Sequence, residues 1–158
     1  MPPHSQVVDR FAFLADWAWG LPLIVLTVVI HVVGLGFLSQ RAVQACMGLR
    51  GRRHPKAAFV ALMGVTTLLV TCLHGIEAAM WAASYRLLGS LPDLRSSLIY
   101  SLNAMTSYGH TNLSLEDPWQ LMGALEALNG WLLFGLTTAF LFGVIEKIWL
   151  SSSRGGHR

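Results

Sequence analysis

The stretch Gly89-Ser90-Leu91-Pro92-Asp93-Leu94-Arg95-Ser96-Ser97-Leu98-Ile99-Tyr100-Ser101-Leu102-Asn103-Ala104-Met105-Thr106-Ser107-Tyr108-Gly109-His110-Thr111-Asn112 decides the fold. Gly89 to Pro92 is a chain breaker. Leu94 to Met105 then reads as a short, mostly apolar helix, with Asp93 or Ser90 as its cap. Twelve residues rise about 18 Å, too little to cross a hydrocarbon core of about 30 Å. A polar, irregular run follows, from Thr106 to Asn112. Such backbone is tolerated at membrane depth only where protein buries it or where it lines a watery cavity. The segment therefore reads as re-entrant.

The surroundings are membrane-like. The chain has 158 residues, 54% hydrophobic and only 12% charged, against about a quarter charged in soluble domains. Three apolar runs predict three spans: Leu21 to Leu38, Ala57 to Ala83 and Leu121 to Leu150. Trp17 and Trp19 precede the first, Trp81 and Tyr85 stand at the far end of the second, and Trp119 and Trp149 flank the third. The fold class is thus all-α, with a short helix and polar loop between the second and third spans. We divide the chain into residues 1–56 (N-terminal segment, first span, basic loop), 57–150 (second span to third) and a polar tail, 151–158.

Basic residues set the orientation. Arg41, Arg50, Arg52, Arg53 and Lys56 occupy the first connection without an acid, and Lys147, Arg154 and Arg158 lie at the C-terminal end. The positive-inside rule puts both in the cytoplasm, and the N-terminus outside. A multi-pass protein of the cell's inner (plasma) membrane is expected, in contact with lipids. The arginines at 50, 52 and 53 suit anionic headgroups. The +3 charge lies in loops and tail, a pattern for topology rather than nucleic acid. Met1 to Trp19 lacks the basic start of a signal peptide. Cys46 and Cys72 give neither a disulfide framework nor a zinc spacing. No nucleophile–base set or phosphate loop appears, so an enzyme is not expected.

Residues His74 to Trp149 resemble the pore module of tetrameric potassium channels, above all the small bacterial members with one extra helix before the pore. Read without gaps, Ile99-Tyr100-Ser101 falls on the family's Tyr-Phe-Ser-like end of the pore helix. Thr106-Ser107-Tyr108-Gly109-His110-Thr111-Asn112-Leu113 falls on its Thr-Thr-Val-Gly-Tyr-Gly-Asp-Ile filter. A second register, two residues shorter, aligns Tyr108-Gly109 with the family's Tyr-Gly. Trp119 matches a tryptophan beyond the filter. Glu126, Gly130, Gly135 and Ala139 resemble the start of the inner helix, and His74, Glu77, Trp81, Ala82 and Tyr85 the end of the outer one.

The resemblance implies a homotetrameric pore for monovalent cations, K+ among them, with no cofactor and no soluble ligand domain. It implies a filter over Thr106, Ser107, Tyr108, Gly109, His110, Thr111 and Asn112, supported by His74, Glu77, Trp119 and Glu126. Third spans would line the pathway, with second and then first spans outside them. The filter departs from the family pattern. Tyr108 replaces valine, His110 tyrosine and Thr111 the second glycine, where a β-branched residue resists positive φ. A weakly selective or non-conducting relative is therefore an alternative. His110 has two readings: an imidazole at the pore mouth that confers pH sensitivity, or a ring packed behind the filter. Asn112 removes an acidic ring, for which Glu116 and Asp117 would compensate.

Gly135 is a candidate gating hinge, or a close helix contact. His74 and Glu77 share a helical face and read as a structural pair tied to the short helix. Two ligands do not close a metal site, so none is predicted. His31 and His74 lie at similar depth, which admits a rival class, a bis-histidine haem or proton-relay subunit.

Overall fold

A computed structural model describes residues 3–48, 55–109, 113–116 and 119–153. These are all helical or irregular, with no strand among the described residues. Four helices follow in order: α1, Pro3–Gly48; α2, Pro55–Leu87; α3, Leu94–Met105; and α4, Gln120–Ser153. Three of them are long and apolar enough to cross a membrane, over Phe13–Gly48, Lys56–Leu87 and Gln120–Lys147. Each long helix outruns the apolar stretch that marks it in the sequence. Alanine, glutamine and lysine at the flanks are good helix formers and carry the helix on past the hydropathy boundary.

Helix α3 takes the bounds the sequence predicts, and Asp93 is its cap. The Asp93 carboxylate accepts from the Ser96 amide at 2.9 Å and from the Ser96 hydroxyl at 2.8 Å. Ser90, the other candidate, is used differently: its hydroxyl donates to the Tyr85 carbonyl at 3.0 Å and fastens the turn that leaves α2. The bonds from Ser96 hold the Asp93 carboxyl below its ordinary value of 3.8. A depressed pKa stabilises the fold fully above the unfolded value and loses that effect as pH falls through the folded one. Asp93→Ala should therefore lower the thermal midpoint at neutral pH. The gap between variant and parent should close as the medium is taken below pH 3.8, which parallel melts would read.

The side-chain distribution is inverted relative to a water-soluble domain. Val25, Val33, Leu68, Trp131 and Phe142 face outward, whereas Asp16, Thr27, His31, Glu77, Glu126 and Asn129 are buried. An apolar exterior suits a membrane-spanning protein, whose buried polar groups must find partners inside protein. The core gathers where α3 meets the long helices. Ala78, Trp81, Tyr85, Leu91, Tyr100, Ala104, Met105, Met122, Leu125 and Leu133 form it. Trp81 and Tyr85 are thus core residues and not an interfacial belt, while Trp19 is exposed. A smaller cluster at the other end joins Ala42 and Val144.

Within one chain, α1 is not peripheral. It lies along α4 as well as against α2, and α2 and α4 meet only briefly. Within the chain the first span thus packs on the third as well as on the second. The reason is polar. Asp16 of α1 accepts from the backbone N–H groups of Leu121 and Met122, capping α4 from a neighbouring helix. Thr27 accepts from the Asn129 amide at 2.8 Å and donates to the Leu23 carbonyl at 2.8 Å.

Candidate functional site

The residues predicted from sequence separate into three places. The first is the end of α3. Thr106 is its C-cap, with its hydroxyl donating to the Leu102 carbonyl at 2.7 Å. Ser107 follows in the left-handed region, φ 53°, and its hydroxyl accepts from the Trp131 indole N–H at 2.9 Å. The Tyr108 side chain is 84% exposed, and Gly109 has φ +90°. Two positive-φ residues within three positions turn the backbone away from the helix path. His110, Thr111 and Asn112 lie outside the described residues, as do Asp117 and the arginines at 50, 52, 53, 154 and 158.

The second place is the flank of α3. Glu126 of α4 is fully buried, and its two oxygens accept from different helices. Tyr85 of α2 donates to Oε2 at 2.6 Å. The Ser101 hydroxyl of α3 contacts Oε1 and also lies 2.7 Å from the Ala78 carbonyl of α2. The Tyr85 and Tyr100 rings meet edge-on at 5.3 Å. One carboxylate thus joins α2, α3 and α4. Gly130, one turn further on, brings α4 against the Met105 backbone, where no side chain would fit. Trp119 is half-buried and packs on the same core. Gly135 has open space around it and no close helix contact within the chain.

The third place lies on α1, α2 and α4. His31 Nδ1 is 2.8 Å from Glu77 Oε1, and His74 Nδ1 is 3.4 Å from Glu77 Oε2. The Nε2 atoms of both rings lie 3.0 Å from the Thr137 hydroxyl. His74 and Glu77 therefore tie α2 to α1 and α4, and not to the short helix as their spacing suggested. The imidazole centroids are 4.9 Å apart. Glu77 and Thr137 hold the two rings against each other, not across a gap.

A groove of about 530 Å³ opens beneath the end of α3. His74, Met105, Thr106, Gly130, Trp131 and Phe134 line most of it. Its wall is largely apolar, and the C-terminal carbonyls of α3 end at its edge, so it is the negative end of the helix dipole that faces it.

Sequence reasoning missed Ser101, Tyr85 and Thr137 as hydrogen-bond partners, and missed the contact between His31 and Glu77. The equal depth of His31 and His74 was the one signal that pointed there. Comparison with protein-family models, with curated proteins and with solved structures finds no match for this chain.

Proposed function

We propose that this chain is one subunit of a homotetrameric, potassium-channel-like pore that passes monovalent cations across the cell's inner membrane, with its N-terminus outside and its C-terminus in the cytoplasm. The observation that carries this reading is α3: twelve residues, capped at one end, clamped between α2 and α4 by a buried carboxylate, and followed by irregular backbone. A helix that ends inside a membrane has little use unless its end faces water or an ion. Its negative dipole end favours a cation in the groove below. Backbone carbonyls of Ser107, Tyr108 and Gly109 begin the path that strips the ion's hydration, by analogy with carbonyl filters in general. The resemblance in sequence extends that path to His110, Thr111 and Asn112.

One short helix supplies only one wall, so closed four-fold symmetry completes the pathway. The exposed apolar face of α4, including Leu128, Trp131 and Phe134, is available to neighbouring subunits. Because Tyr108 stands exposed in the single chain, its ring would lie at a subunit boundary or at the pore mouth.

Cation flux into proteoliposomes, with cross-linking to count subunits, tests this directly. Tetramers that conduct K+ and Na+ are expected. Gly109→Ala should abolish flux, since a Cβ at φ +90° costs about 1–2 kcal/mol and shifts the carbonyls. Monomeric protein would sink the proposal. Tetramers without flux would leave the non-conducting relative as the reading.

A further inference from the structure

We propose that His31, His74 and Glu77 form a binding site for a divalent transition-metal ion of the zinc class, joining α1 to α2. The three side chains each offer a ligand atom, all within 4.8 Å of one another. The arrangement has a definite polarity. Both Nδ1 atoms face the Glu77 carboxylate, at 2.8 and 3.4 Å, and both Nε2 atoms face Thr137, at 3.0 Å each. Two imidazoles and a carboxylate are a common donor set for zinc, with a fourth position left for water.

The far side of the site is prepared for an ion. A metal-bound imidazole needs an acceptor for its other N–H, which fixes tautomer and ring orientation. The Thr137 hydroxyl has two lone pairs and can accept from both rings when each Nδ1 is turned to an ion. Glu77 supplies the second observation. It is fully buried, yet its Oε2 makes no well-formed hydrogen bond, its nearest donor being His74 Nδ1 at a long 3.4 Å. A carboxylate oxygen left without a well-formed bond in a membrane-spanning helix is costly, and a cation between it and the His74 ring would satisfy it. There is also a way in. His74 is 26% exposed and borders the groove beneath α3, while His31 and Glu77 lie behind it.

Binding exchanges one interaction for several. The proton between His31 Nδ1 and Glu77 Oε1 gives way, passing to Nε2 of the ring where that atom is bare or to solvent where it is already protonated, and the ion takes its place between the two groups and His74. The ion would clamp α1 onto α2 at the point where Thr137 already holds both rings to α4. The inference is independent of conduction, because its readouts are spectroscopic and thermal.

The test uses the full chain, purified and stripped with chelator, and titrated with Co2+ and then with Zn2+. We expect one Co2+ per chain with a visible d–d spectrum of nitrogen and oxygen ligands, free of a thiolate charge-transfer band, and displacement by Zn2+. Zinc should raise the thermal midpoint. His74→Gln should remove both effects. Thr137→Val, which retains the side-chain shape, should weaken affinity about tenfold to a hundredfold, and it should also lower the metal-free melt, because both ring Nε2 atoms lose their partner. Absence of saturable binding in folded protein would overturn the proposal. So would binding that persists unchanged in His74→Gln and Thr137→Val, since it would belong to His4, His54, His110 or His157.

Discussion

Glu126→Ala should lower the thermal midpoint sharply and loosen α3 from its neighbours. Removal of the carboxylate strands the buried Tyr85 hydroxyl, and leaves Ser101 with the Ala78 carbonyl alone. A buried polar group deprived of its partner costs about 1–3 kcal/mol. Hydrogen bonds measured within membranes average lower, about 0.6 kcal/mol. Ser101 keeps an acceptor and the Tyr85 hydroxyl does not, so the loss is about 1–3 kcal/mol. Glu126→Gln keeps one carbonyl acceptor and should lose about half as much. Melts of the two variants beside the parent decide the matter. A midpoint unchanged in Glu126→Ala would mean that the clamp contributes nothing to holding α3. If α3 is the pore helix we propose, cation flux should disappear in Glu126→Ala before the protein unfolds.

The second large effect concerns a single methyl group. Alanine is ordinarily the better helix former, by about 1 kcal/mol over glycine. Gly130→Ala should nonetheless destabilise, because the new Cβ would meet the carbonyl group and Cα of Met105. Those are backbone atoms, which cannot swing aside as a side-chain tip can. Helix α3 must shift as a unit, at about 1–3 kcal/mol or more. Gly135→Ala, five residues on, meets nothing within 4 Å and should instead gain the helix-propensity increment. Opposite signs for the two variants in thermal melts are the expected result. Two changes of the same sign would contradict the close approach at Gly130. For the hinge role considered for Gly135, the open space around it leaves room for bending, and no packing contact within the chain holds it straight.

The parts of this fold legible in the sequence are those governed by one segment at a time. The breaker from Gly89 to Pro92, the cap at Asp93 and the twelve-residue length of α3 all follow from local chemistry. So do three apolar runs long enough to span. What was not legible is which polar group answers which. Hydropathy says that His31, Glu77 and Glu126 need partners, but not which helix supplies them. His31 and Glu77 are 46 residues apart, and Thr27 and Asn129 are 102 apart. Tyr85 reads equally well as an interfacial aromatic or as a buried donor, and only its contact with Glu126 separates the two. The docking of α1 on α4 is hidden for the same reason. It rests on Asp16, Thr27 and His31, each of which in isolation is merely an unwelcome polar residue in an apolar run.

That docking has a consequence for how the protein is made. The ribosome delivers α1 to the bilayer first and α4 last. Asp16 takes its partners from α4 and lacks them until that helix has been inserted, whereas Thr27 already bonds the Leu23 carbonyl of its own helix. His31 fares better, because Glu77 arrives with α2, although Thr137 comes only at the end. The N-terminal helix is thus a client of its own C-terminal one. A stalled or truncated nascent chain would present an exposed carboxylate within its first span, a mark by which membrane quality control could recognise it.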